Sequence, residues 1–454
     1  MKLLKKNMAL LSFVVMLIAC MASPSLASGK GGEPRLEYWS VIPFAGILLS
    51  IAIVPLFAHK WWHHNFQWVS LAWGLPVAVW VIFLNPEWLF DTAMEYAGFI
   101  ALLGSLFVIS GGIYIKGNLR GTPLVNTIIL AIGCVLANFV GTTGASMILV
   151  RPLIRANSFR KHRVHMVVFL IFMVSNVGGC LTPLGDPPLF LGLLKGVPFF
   201  WTMKLFPEWL FMCGTLLVIF YLLDLHYYHN REEVSGKYQF EPLVIEGKAN
   251  FLLLGGVMGA VLLYSFLPVS MGWWREVIQI AIMVIIAAVS YRWTPNNVHV
   301  ENEFTWLPIR EVAILFAGIF VCMIPALKIL HERGGEFGVT HPWQFFWATG
   351  LLSSFLDNAP TYLTFMSLGM SISHGATDLM RLMDGEISGT ILRAISLGAV
   401  FMGANSYIGN GPNFMVKSIA DHSGVKMPLF FGYMAWAAVV LIPLFILTTL
   451  IFFR

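Results

Sequence analysis

Four short polar segments, broken by glycine and proline, interrupt runs of this chain that are otherwise apolar enough to cross a bilayer. Two lie in the first half, residues 138–146 (NFVGTTGAS) and 175–188 (SNVGGCLTPLGDPP). Two recur in the same order in the second, residues 353–361 (SSFLDNAPT) and 403–413 (GANSYIGNGPN). Polar side chains and unwound backbone are costly in hydrocarbon, so they persist only where protein buries them or where they line a wet cavity. Breaks at corresponding positions of two halves predict a solute-binding cavity between related repeats.

Composition excludes the soluble alternatives. Apolar residues make up 58% of the chain and Asp, Glu, Lys and Arg only 11%, against roughly 25% charged in soluble domains. Many apolar runs reach the ~20 residues that span a bilayer as a helix. The net charge of +5 does not indicate a nucleic-acid partner, because the basic residues sit in short loops, where they set topology. Cys20, Cys134, Cys180, Cys213 and Cys322 include no close pair, so neither a zinc site nor a disulfide framework is indicated. No nucleotide loop, metal-hydrolase spacing or nucleophile constellation appears, and the chain is not expected to be an enzyme. The amino terminus, with Lys2, Lys5 and Lys6 before an apolar stretch from Met8 to Met21, reads as a targeting segment over residues 1–27. Cleavage after Ala27, lipoprotein processing before Cys20 and retention as a first helix all leave residues near Gly31 outside.

Charge and length then order the spans. The first half, 38–224, holds spans at 39–58, 66–84 and 95–114 and an apolar stretch, 122–150, that is basic on both flanks. Both flanks are therefore cytoplasmic, and the stretch is predicted to be a re-entrant hairpin. A crossing segment at 165–200, broken at 176–188, and a span at 206–224 complete it. A mixed-charge cytoplasmic linker, 225–248, leads to the second half, 249–454, with spans at 249–267, 274–291 and 307–324. A hairpin at 342–370, a broken segment at 389–421 and a last span at 428–450 follow. The expected fold is an all-α polytopic membrane protein: an inverted repeat with re-entrant hairpins and broken helices.

Aligning Gly141 with Asp357 sets the hairpins 216 residues apart and pairs Asn138 with Ser354. Aligning Asp186 with Asn410 sets the broken segments 224 apart and pairs Thr182 with Ser406. Asp186 and Asp357 are the informative carboxylates, because each lies within a break. Desolvation favours the neutral acid and a bound cation favours the charged form, so a proton and sodium can compete for such a group. Helix capping is the alternative role for both. Asn138, Thr142, Thr143, Asn176, Thr182, Ser354, Asn358, Asn405, Ser406, Asn410 and Asn413 add neutral oxygens and donors around them. Arg393 and Lys417 are candidates to compensate a carboxylate or hold an anion. Glu95, Arg310 and Glu311 read as snorkelling groups, and His162 and His165 as solvated cytoplasmic residues.

At NFVGTTG (138–144), TPLGDPP (182–188) and LDNAPT (356–361), residues 38–454 resemble the ion transporter superfamily, and most closely its bacterial NhaD-type sodium/proton antiporters and citrate-transporter-like proteins. The resemblance implies a homodimer in the bacterial inner membrane whose hairpins move by an elevator-like exchange. It implies transported sodium and protons as ligands, with no resident cofactor. By motif, Asp357 and Asn358 match the acidic hairpin tip of the antiporter branch, and Asp186 the acid of its broken helix. The anion/sodium symporters carry Ser-Asn-Thr at both hairpin tips, a pattern absent here. That departure argues against a carboxylate anion such as citrate as substrate, which stands as the alternative, ahead of arsenite.

Overall fold

The computed structural model describes residues 36–229, 241–373 and 375–453. The targeting segment and the centre of the expected linker, 230–240, lie outside the described residues. Among the described residues there are sixteen α-helices, and ten segments are long and apolar enough to cross a membrane.

The first half opens with α1 (Ile42–Phe57), α2 (His59–Leu84) and α3 (Pro86–Gly111). The third span was expected to begin at 95, yet it begins nine residues earlier. Asn85 caps it by accepting the Glu87 amide at 3.0 Å, and Pro86 occupies its first turn, where no amide donor is needed. Likewise residues 59–65, between the first two expected spans, belong to α2. A short strand, β1 (Tyr114–Asn118), pairs antiparallel with β2 (Glu241–Glu246), so part of the expected linker is a strand held beside the end of α3.

Residues 123–156 form one long helical element, α4 (Pro123–Ala156), folded back on itself at Gly141, whose φ of 77° and ψ of 155° leave helical space. The fold-back is closed at its base, where the Gly121 amide donates to the Ala156 carbonyl at 2.8 Å. The predicted hairpin is therefore present. The first broken segment follows as α5 (Val164–Met173), a 3-10 turn (Val177–Leu181) and α6 (Pro187–Leu194). It leads through a second 3-10 turn to α7 (Phe206–His229). The stretch Val164–Leu181 is 94% buried, whereas no other candidate span exceeds 56%, so this segment runs through the middle of the bundle.

The second half repeats the plan with α8 (Ala249–Phe266), α9 (Trp274–Trp293), the short α10 (Asn296–Glu301) and α11 (Leu307–Arg333). A hairpin of α12 (Pro342–Ser353) and α13 (Asn358–Ile372) comes next. Strands β3 (Leu379–Arg381) and β4 (Glu386–Ser388) precede α14 (Gly389–Met402), a 3-10 turn (Gly403–Asn405), α15 (Gly411–His422) and α16 (Phe430–Phe452).

The inversion is visible in side-chain pairing between the third spans. Trp88 meets Lys328, Tyr96 meets Phe320 and Phe99 meets Phe316, and Phe107 meets Phe304 just before α11. As one number rises the other falls, so α3 and α11 run antiparallel. Each hairpin follows the end of one of them, and the two hairpins therefore enter from opposite ends of the molecule. The helices α1–α3 pack with α8, α9 and α11, and the hairpins pack with the broken segments; α3 and α11 link the two groups, since α3 also packs against the first hairpin and α11 against the second.

Candidate functional site

The breaks of both halves converge because the same local contacts are built twice. Asn138, before the first hairpin tip, donates to the carbonyls of Cys134 and Gly178. Ser354, 216 residues on, donates to those of Gly350 and Met402. Thr182 donates to the Asn138 carbonyl and Ser406 to the Ser354 carbonyl, each at 2.5 Å. Asp186 and Asn410 precede their short helices in nearly the same extended conformation, φ/ψ −142°/142° and −149°/141°. Asn138, Thr182, Ser354 and Ser406 thus tie hairpin tips to broken segments.

Asp186 is 1% exposed and lies where all four elements meet. It does not cap its own helix; its carboxylate faces inward. Oδ1 accepts from Thr142 Oγ1 at 2.9 Å and Asn410 Nδ2 at 3.1 Å, and Oδ2 accepts from Asn358 Nδ2. One donor comes from the first hairpin, one from the second and one from the second broken segment. Asn410 Nδ2 also reaches the Ser175 carbonyl, and Asn176 donates to Asn413 Oδ1 at 2.8 Å. Asn413 in turn donates to the carbonyls of Gly403 and Ser406 at 2.9 Å. Asn358 Oδ1 and Asn405 Oδ1 are buried with no hydrogen-bond partner among the described residues. An acceptor left without a donor in a buried site costs about 1–3 kcal/mol.

Asp357 is placed differently. It caps α13, accepting the Ala359 amide at 3.1 Å while its carbonyl accepts from Thr361, and it is only half-buried. The two candidate carboxylates differ in setting: Asp357 caps α13 at the hairpin tip, and Asp186 takes the central position. A cleft reaches Asp186 from the side of the first hairpin, lined by Leu106, Thr142, Thr143, Pro308, Val312 and Met415 among others. About 70 Å³ of it is accessible to the centre of a water molecule, and about 10–15 Å³ suffices for one water, so the cleft is wide enough to be wet.

The outlying charged candidates are committed elsewhere. Arg393 pairs with the buried Glu208, and Lys417 pairs with Asp421 at 2.7 Å one helical turn away. Neither lines the cleft. Glu95 does not merely snorkel, since its Oε1 lies 2.6 Å from Lys195 Nζ. His165, expected to be solvated, is 2% exposed and lies 2.9 Å from Asp224, which also binds Arg160 at 2.6 Å and Asn126 at 2.8 Å. Sequence reasoning missed this cluster; the available signal was a lone aspartate late in an apolar span, opposite a basic loop. No cluster of metal-ligating side chains occurs among the described residues.

An α-helical, multi-pass bundle whose repeated hairpins and broken helices close around one buried carboxylate defines a membrane transporter. Over residues 33–453 the chain matches the family described as "Putative citrate transport", and it belongs to that family. No curated protein is detectably similar to it.

Proposed function

We propose that this chain is a secondary active transporter that exports sodium in exchange for protons by alternating access, in a bacterial inner membrane. The observation that carries this reading is Asp186, a buried carboxylate whose three side-chain partners, Thr142, Asn358 and Asn410, are all neutral. With no cationic partner, the Asp186 carboxylate has only neutral donors to offset its burial, so a proton and a cation would each stabilise it and would exclude each other at one oxygen pair. The orphaned Asn358 Oδ1 beside it supplies the kind of neutral oxygen a hard cation takes. Asp357, half-buried at the hairpin tip, is the second titratable group near the path.

The family description favours a second reading, sodium-coupled transport of citrate or another carboxylate. An anion of that charge calls for cationic or amide-rich contacts, and the lining of the cleft contains Asp186 but no Lys, Arg or His. The test is purified protein in liposomes with an internal pH reporter, challenged in turn with sodium, lithium, potassium, citrate and arsenite. Sodium or lithium alone is expected to collapse an imposed pH gradient, with apparent sodium affinity falling as pH falls. Asp186→Asn should abolish the response in folded protein. A response that requires citrate would establish the second reading, and an unchanged sodium response in Asp186→Asn would reject the carboxylate site.

A further inference from the structure

At the end of the molecule opposite the cleft, an ion cluster joins the two helix groups. Lys195, the residue that ends α6, places Nζ 2.6 Å from Glu95 Oε1 on α3 and 3.0 Å from Asp384 Oδ2 in the β3–β4 turn. The backbone reinforces it, since the Met383 amide donates to the Lys195 carbonyl at 2.9 Å. Beside the lysine, Leu194 is 4% exposed, and its Cδ1 lies 3.8 Å from where a Cβ on Gly98 of α3 would sit. The end of α6 is thus sealed between α3 and the β3–β4 turn.

The corresponding place in the other half is open. There the start of α11, at Pro308, Ile309 and Val312, and α15, at Gly411 and Met415, form walls of the cleft that reaches Asp186. The residue 224 positions beyond Lys195 is Ile419, so the repeat does not duplicate the lysine. The two faces also differ in how well their ion pairs are shielded. The Lys195 and Glu95 side chains are 17% and 23% exposed and Asp384 is 52% exposed, so the Glu95 arm is the shielded one, whereas the Arg151–Glu303 pair near the cleft leaves Glu303 76% exposed. A shielded pair is screened little by salt, while an exposed one contributes almost nothing to holding two bodies together.

From this asymmetry we propose that Lys195, bridging Glu95 and Asp384, is a latch that keeps the α6 face shut while the cleft beside α11 is open. Its release is required for the solute site to face the other way. Lys195 and Glu95 are then positioning residues: they touch no solute, but they set the balance between the two facing states. The latch rests on the alternating-access part of the proposed function and not on sodium or proton as the cargo.

The test reads facing state directly, without transport. Single cysteines are introduced in the full chain at Met415→Cys, on the cleft, and at Leu194→Cys, behind the latch. Each is labelled in detergent with a charged maleimide. Cys134, Cys180, Cys213 and Cys322 are at most 3% exposed, and protein without a reporter supplies the background rate. With Lys195 intact, Met415→Cys should react quickly and Leu194→Cys slowly. Adding Lys195→Met should speed the second by about fivefold and slow the first in proportion to the fall in the cleft-open population, since a two-state shift moves the two reporters in opposite directions. Lys195→Arg should preserve the starting pattern. Glu95→Gln, which leaves the Lys195–Asp384 contact, should move both rates in the same directions and carries the test if Lys195→Met does not fold. Rates that stay unchanged overturn the latch, as do rates that rise at both reporters, which signify loosening. Opposite shifts in a protein that exchanges no sodium would reject the antiport reading and leave the latch standing.

Discussion

Replacing Gly185 with alanine probes the backbone contact that holds Asp186 in place. A Cβ at this position would lie 2.0 Å from the Gly179 carbonyl oxygen, 2.7 Å from its carbonyl carbon and 3.0 Å from its Cα. All three are backbone atoms, so no side chain can turn aside. Relief requires the 3-10 turn Val177–Leu181 to separate from the 182–186 stretch by roughly 1–1.5 Å, the shortfall from ordinary contact. The Gly185 carbonyl, which accepts the Thr142 amide at 2.8 Å, would move with it, and so would Asp186. Overpacking costs about 1–3 kcal/mol and an orphaned buried amide about 1–3 kcal/mol more, giving about 2–6 kcal/mol in all. Thermal unfolding of the detergent-purified protein, followed by tryptophan fluorescence, should show a midpoint lowered by several degrees, and liposome exchange should be lost. Gly214→Ala on α7 is the control, because a Cβ there meets nothing within 4 Å, and it should leave stability unchanged or raise it by up to about 1 kcal/mol. If Gly185→Ala and Gly214→Ala unfold together and Gly185→Ala retains exchange, the close approach does not hold the site.

Asp224→Asn should destabilise the protein by about 3–5 kcal/mol, because it removes the charge paired with the fully buried Arg160 guanidinium; Lys417→Met, which breaks a partly exposed pair within one helix, should cost under about 0.5 kcal/mol in the same unfolding assay. Asp378 offers a pH test: partial burial pushes its carboxyl up, but hydrogen bonds from Thr390 and Ser388 outweigh this and hold it below the usual carboxylate range. A depressed folded value means its contribution is present above the unfolded value and lost as pH falls through the folded one, so Asp378→Asn should lower the unfolding midpoint at pH 7 and converge with wild type in strong acid. A cysteine near Arg155 should label from the cytoplasm and one near Asp378 from outside; labelling from the same side would contradict the charge-derived orientation.

Much of this architecture is legible locally. Apolar runs of span length, the prolines at 187–188 and 412, and the glycines at 141 and 185 specify where helices run and where they stop, because bilayer thickness and backbone sterics act on short stretches of chain. The pairings Asn138 with Ser354 and Thr182 with Ser406 could likewise be read from spacing, and the structure gives both pairs equivalent contacts. What spacing could not rank is the pair of acids. Asp186 and Asp357 look alike in sequence, yet one is enclosed by Thr142, Asn358 and Asn410 while the other caps α13. That difference depends on partners 44 to 224 residues away. The strand pairing of 114–118 with 241–246, the burial of His165 against Asp224 and the bridge from Lys195 to Glu95 and Asp384 are of the same kind. Each is a contact between groups distant in the chain, and the energy of a charge or an unpaired polar group is set by the neighbours and the solvent around it, which only the packed structure decides.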